Sequence, residues 1–492
     1  MSRLARSQGE HRSAPAEAKP VNLQAVQTLV LRPARGPAVV HKIVRIPERA
    51  GRVVAAVLAE LQPSYGLPDN RSLRLSIGFS FAGLEAIGVP PGYLRLFRRL
   101  APAFTAGAVR RSVHVGDGGL SAAKHWAPEF RQEHAHILLS WHGPLEEVLE
   151  HERQFTASWQ THVGRFLLGK PDRDGQAAVC KMPGLPRGER IGRPDREEGE
   201  WVHFGFRDGI SEVCIDAEQP RPAALDCRHH APGALLLGHV NDAGFNTFAL
   251  GQAPDKVRTF FRDGSFGILR PMSQDLTAFE DQLDQWQTEI APRGNPALSR
   301  DFVKAKLCGR WPNGRQQRPG DFVPQGSYVL DLAGDDHGAG CPFGSHVRRM
   351  RAAPDGHGNV YLRPLQRRSF PFGPAAWSGR PVDGVARGLL GHFFCASIED
   401  QFEHLLGQWA ARPPLGLPAD DTALDPLVGP HDDAAATLLV PLAQQAEPLR
   451  LRGFHAWTTT LGTMYAWYPG QAGLKALLED DFVPDDDDRP WL

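Results

Sequence analysis

A chain of 492 residues, 41% apolar and 23% charged, is long enough to bury a substantial core in two or more domains. Its 55 basic and 56 acidic side chains leave no net field to gather nucleic acid or anionic lipid, so small or uncharged partners are expected. Six scattered cysteines without a CxxC pair fit neither a zinc knuckle nor a dense disulfide framework, and reduced thiols are expected. No window approaches the roughly 20 consecutive apolar residues of a membrane span, and the polar N-terminus has no apolar signal core, so a cytoplasmic protein is expected.

In chain order, residues 1–20 read as a flexible tail, rich in Ser, Ala, Glu and Arg without periodicity. The alternating LRLSIGFSF predicts a strand running into a short helix at AGLEAIG, and HAHILLSW (134–141) a second strand before the helical LEEVLEHERQFTASW. The segment 182–200, dense in Pro, Gly and charge, predicts an exposed loop. A second half repeats the grammar: strands at GALLLGHV, GSFGILRPM and VYLRPLQ, a helix at SQDLTAFEDQLDQW after the second, and a strand-to-helix unit at HFFCASIEDQFEHLLGQWA. The last helix places Phe402, Leu405, Leu406 and Trp409 on one apolar stripe. The pattern predicts an α+β protein of two sheets with helices packed on them. The expected divisions are 1–20, 21–200, 201–480 and an acidic tail 481–492.

Three stretches carry possible chemistry. GFRDGIS (205–211) sets Asp208 among glycines that permit a tight turn and close approach to the carboxylate, although a self-capping turn is the ordinary outcome of such a stretch. LQRRSFPFG (365–373) puts Arg367 and Arg368 at a strand end, where a solvated edge is the ordinary outcome. CPFGSHVRRM (341–350) offers one imidazole, His346, which alone suits a satisfied core position as well as a metal. CRHH (227–230) with His239 fits no standard finger spacing, and loop histidines explain it.

Taken in this order, the three stretches resemble the signature of the dye-decolorising peroxidase family. So do LSIGFSFAGLEAIGVP (75–90), AFTAGAVRRSVHVGD (103–117), LLLGHVNDAGFNTF (235–248), DGSFGILRPMSQDLTAF (263–279), VKAKLCGRWPNG (303–314) and GFHAWTTTLGTMYAWYPGQAGLKAL (453–477), covering about residues 25–478. The resemblance implies two ferredoxin-like modules with antiparallel sheets, and haem b in the C-terminal one. His346 becomes the axial iron ligand, with Gly344 and Ser345 giving the porphyrin room and Arg348 meeting a propionate. Glu403, or Glu399 one turn earlier, takes the other imidazole N–H. Asp208 becomes the proton shuttle for hydrogen peroxide, Arg367 the cation that stabilises its cleavage, and Phe393 a wall residue. The implied partners are hydrogen peroxide and one-electron donors such as dyes or phenols, with no nucleic acid and no membrane; an oligomer is compatible. The chain departs from the family where RRMRAAPDGHGN replaces an Asn-Pro-Arg run and where Gly391 and His392 stand in place of larger apolar residues, so a more open or a more polar distal pocket is expected. That departure keeps a second reading open, a non-catalytic haem carrier or sensor of the same fold.

Overall fold

The computed structural model describes residues 21–33, 36–67, 71–131, 133–163, 185–191, 199–215, 226–290, 298–351, 363–376, 380–413, 421–431, 435–443, 447–484 and 491. The predicted tail 1–20 and the acidic run 485–488 lie outside the described residues. Its strands are β1 (Ala38–Val44), β2 (Arg74–Phe79), β3 (Ile137–Gly143), β4 (Gly188–Glu189), β5 (Glu200–Trp201), β6 (Arg207–Asp208), β7 (Ser211–Cys214), β8 (Asp226–His229), β9 (Ser265–Gln274), β10 (Gln366–Arg367), β11 (Phe370–Phe372), β12 (Gly388–Cys395), β13 (Thr437–Val440), β14 (Leu449–Arg452), β15 (Thr458–Thr460) and β16 (Met464–Tyr468).

The α+β class holds, and pairing in the large sheet is antiparallel throughout. Strands of both halves join one ten-stranded sheet, ordered β10-β12-β11-β4-β1-β3-β2-β16-β9-β15, rather than two. A further pairing of β9 with β12 closes eight of them into a ring. One seam is β2 against β16; the other is β4, which bridges β1 and β11. That short strand lies inside the stretch expected to be an exposed loop. It has no room for a side chain at Gly188, where a Cβ would stand 2.6 Å from Val39 Cγ1 and 2.7 Å from Phe370 Cβ.

Period-2 alternation fixes which residues face the interior of the ring. His41 pairs with Ser140, Leu269 with His392, and Phe370 with Leu390, and these side chains fill the inside. Outside pack the helices Phe81–Ile87, Leu145–His162 and Leu276–Ile290, predicted from their periodicity. GALLLGHV is not a strand. Leu235, Leu236 and Leu237 are fully buried, but in an irregular segment after a short 3₁₀ turn at Pro232–Ala234, so an apolar run reported burial and not conformation.

Candidate functional site

A cavity of about 480 Å³ opens on the outer face of β9 and β12, within the size range of cofactor pockets. Asp208, His346, Arg367 and Phe393 all line it. Four residues drawn from segments far apart in the chain are therefore brought together as expected. Gly205 (φ +81°) and Gly209 (φ +70°) both adopt left-handed backbone, which turns the chain sharply on either side of Asp208. Arg367 is exposed to the cavity, and among the described residues no carboxylate pairs with its guanidinium. Its Cα partner across the strand pair is Phe393, so sheet register places the cation beside the aromatic wall.

His346 begins a six-residue helix, His346–Arg351. On it His346, Val347, Met350 and Arg351 face the cavity. Arg348 does not: its guanidinium bonds Asp335 Oδ2 at 3.1 Å and the Cys341 carbonyl at 3.1 Å and stacks on Phe343. The helical period carries residue 348 to the far side and residue 351 to the wall, so the expected propionate contact at Arg348 is corrected. Arg349 is a buried clamp on the carbonyls of Gly344, Trp409 and Arg412. Gly344 makes room for Leu438, whose Cδ1 would lie 2.4 Å from a Cβ there, and neither it nor Ser345 lines the cavity.

The carboxylate behind His346 is Asp425, which neither periodicity nor the family likeness pointed to. Nδ1–H of His346 donates to Asp425 Oδ2 at 2.9 Å, so the tautomer leaves Nε2 with its lone pair on the cavity side. Asp425 Oδ1 accepts from the backbone N–H groups of Leu427 and Val428. Burial alone would raise this carboxyl; His346, Arg349 and the Leu427 N–H outweigh it and hold the group below its ordinary value. Glu403 is corrected. It is held by Arg111 and by the Tyr465 hydroxyl at 3.1 Å, and Glu399 accepts from Ala103 N. The reason is local winding: Ile398–Glu403 and Leu405–Ala410 form wide π-type turns. More residues per turn place Phe402, Leu405, Leu406 and Ala410 on the wall while Trp409 leaves it.

The wall also carries seven arginines against Asp117, Asp208 and Glu212. Arg270 is neutralised by Asp117, while Arg310 and Arg351 share the single carboxylate Asp226, leaving local positive charge. The polarity expected from His392 does not reach the cavity. Leu389 and Phe393 face the cavity; His392 points to the other side of β12, bonding Tyr468 OH at 2.9 Å.

The reduced-thiol expectation is corrected as well: Cys214 and Cys227 are joined as a disulfide across β7 and β8, with Cα atoms 6.2 Å apart. No helix among the described residues is long and apolar enough to cross a membrane.

No protein-family model matches the sequence. The chain is 26% identical over 390 residues to dye-decolorizing peroxidase msp1 of Mycetinis scorodonius, covering 74% of this chain and 67% of that one. It is 27% identical over 379 residues to multifunctional dye peroxidase DyP2 of Amycolatopsis, covering 72% and 71%. The chain is thus similar in sequence to curated dye-decolorizing peroxidases. A dye-decolorizing peroxidase solved in complex with 2,6-dimethoxyphenol superposes with a TM-score of 0.68 at 21% identity, covering 93% of this chain and 99% of that one, so the fold is shared throughout.

The residues present fit the haem that the resemblance implies. An imidazole with a free Nε2, backed by a buried carboxylate, suits haem iron; Leu389, Phe393, Phe402 and Leu405 suit a flat apolar macrocycle; Arg310 and Arg351 suit its carboxylates.

Proposed function

We propose that the chain is a haem b peroxidase that reduces hydrogen peroxide and oxidises dye-like or phenolic donors in one-electron steps. The observation that carries this reading is the His346–Asp425 pair, presented to the same cavity as Asp208 and Arg367. Haem bound there supplies the iron and the electron chemistry. The chain supplies the rest.

Asp425 orients the His346 ring and strengthens it as a donor to the metal. Asp208 takes the proton from hydrogen peroxide entering the cavity and returns it to the departing oxygen, one carboxylate serving as base and then acid. Negative charge develops on that oxygen, and the Arg367 guanidinium, with no carboxylate partner among the described residues, is placed to stabilise it. Leu389, Phe393 and Phe402 exclude water from this wall. The 2,6-dimethoxyphenol bound by a structural neighbour supports a phenolic donor class. The altered distal strand with Gly391 and His392 kept a carrier or sensor reading open; that His392 faces away from the cavity supports the peroxidase reading over it.

Haem reconstitution tests the proposal. The protein is expected to show a Soret band that changes on mixing with hydrogen peroxide, and Asp208→Asn to slow that change by about 10²–10⁴-fold. Wild-type rates in Asp208→Asn remove the shuttle; a Soret band indifferent to peroxide removes the peroxidase.

A further inference from the structure

We propose that Cys214, Cys227 and His229 form a redox-gated site for a thiophilic divalent cation of the Zn²⁺ class: closed as a disulfide when oxidised, and two thiolates plus an imidazole around the ion when reduced. The proposal does not depend on the haem reading.

Strand geometry assembles the site. β7 and β8 pair in parallel, with Cys214 opposite His229. Cys227 lies two residues before His229, so alternation puts all three side chains on one face of the ribbon. One donor atom from each lies within 4.8 Å of the other two. Two sulfurs and one ring nitrogen form a Cys₂His set, a zinc donor set that leaves a fourth position for water. Exposure rises from buried Cys214 through Cys227 to exposed His229, which gives an ion a route in from solvent.

The sequence set aside a different grouping, CRHH with His239, as loop histidines. In the structure His230 is held by Asp242 at 2.7 Å and His239 by Asp263 at 2.6 Å. His229 has no such partner among the described residues. The remaining described thiols compete poorly. Burial pushes Cys308 up to about 12 and raises Cys341 and Cys395, so their thiolates are disfavoured.

Chemically the gate is thiol–disulfide exchange. A dithiol reductant attacks one sulfur, leaves as its own cyclic disulfide, and delivers two electrons and two protons to the pair. Binding the ion then releases both thiol protons to solvent. In either state the ribbon stays clamped, and with it Asp226, the neighbour of Cys227 that holds Arg310 and Arg351 on the cavity wall.

The test uses the full chain, reduced with a dithiol and desalted without oxygen. Titration with Zn²⁺ against a chromophoric chelator is expected to show one more tight equivalent in reduced than in oxidised protein, and Co²⁺ to give thiolate-to-metal charge-transfer absorption. Cys214→Ser should abolish that equivalent. His229→Ala, at an exposed position that leaves the fold intact, should weaken it by about tenfold or more. Reduced wild type binding no more Zn²⁺ than Cys214→Ser overturns the proposal. So does Co²⁺ absorption without the thiolate band, or a pair that dithiols leave oxidised in the folded protein.

Discussion

Strand β12 separates two regions that use the same side chain in opposite ways. On its outer face His346 is 23% exposed, held by the fully buried Asp425, with one ring nitrogen turned to the cavity. On its inner face His41, His142 and His392 are sealed inside the strand ring, where desolvation lowers His41 to about 3 and the other two well below the ordinary 6.5. Neighbouring Arg74, Arg190 and Arg368 act on His142 in the same direction. A buried carboxylate makes an imidazole a strong donor to a metal; burial without one makes it a neutral packing group. One residue along β12 decides the face: His392 lies inside and Phe393 outside.

The comparison breaks most sharply at the proposed ligand. His346→Ala is expected to abolish the Soret band while unfolding stays cooperative, whereas His392→Ala retains the band at reduced stability, as absorption and urea unfolding will show. Haem retained with unchanged ligand-field features in His346→Ala would sink the assignment. Asp425→Asn removes the charge behind the ring, and a loss of about 10–100-fold in haem affinity or peroxide reactivity is expected, measured by haem transfer to an acceptor protein and by stopped flow.

The inner cluster predicts acid lability. Above 6.5 the imidazoles are neutral in both states and cost nothing. As pH falls from 6.5 the unfolded chain takes up protons that the interior refuses, so stability drops until pH reaches the folded value, near 3 for His41. Each buried imidazole adds a slope of up to about 1.4 kcal/mol per pH unit, visible in urea midpoints between about pH 7 and pH 5. His142→Leu should remove one share of that slope, since both its ring nitrogens lack partners among the described residues. An unchanged slope would show that the ring is hydrated.

The smallest effect is expected at Gly391, on the boundary itself. A Cβ there would lie 2.7 Å from Arg270 O and 2.8 Å from Phe393 Cε2. Gly391→Ala therefore displaces the Phe393 ring, destabilising by about 1–3 kcal/mol while haem still binds.

The readable parts of the site were local. Gly205, Asp208 and Gly209 set their own turn within five residues, and Arg367 was placed by a strand end. The misassigned parts depended on winding or on distant pairing. Glu403, with Glu399 as its alternative, came from the likeness of this helix to the family's, and the chain there winds more widely than an α-helix. Arg348 was chosen for its nearness to His346 along the chain, where the helix favours Arg351. Asp425 carried only the local sign of an Asp-Pro turn, realised in its bonds to Leu427 and Val428.

By itself the sequence determined the donor types, the period of most strands and helices, and the likeness to dye-decolorizing peroxidases, because each is written within a few consecutive residues or in their order. Only the tertiary structure decided which carboxylate stands behind His346, which sulfur meets Cys227 and which histidines go inside. Those choices join residues far apart in the chain, 79 positions for His346 and Asp425 and 99 for His41 and Ser140, and ring closure with strand register, rather than local propensity, brings them together.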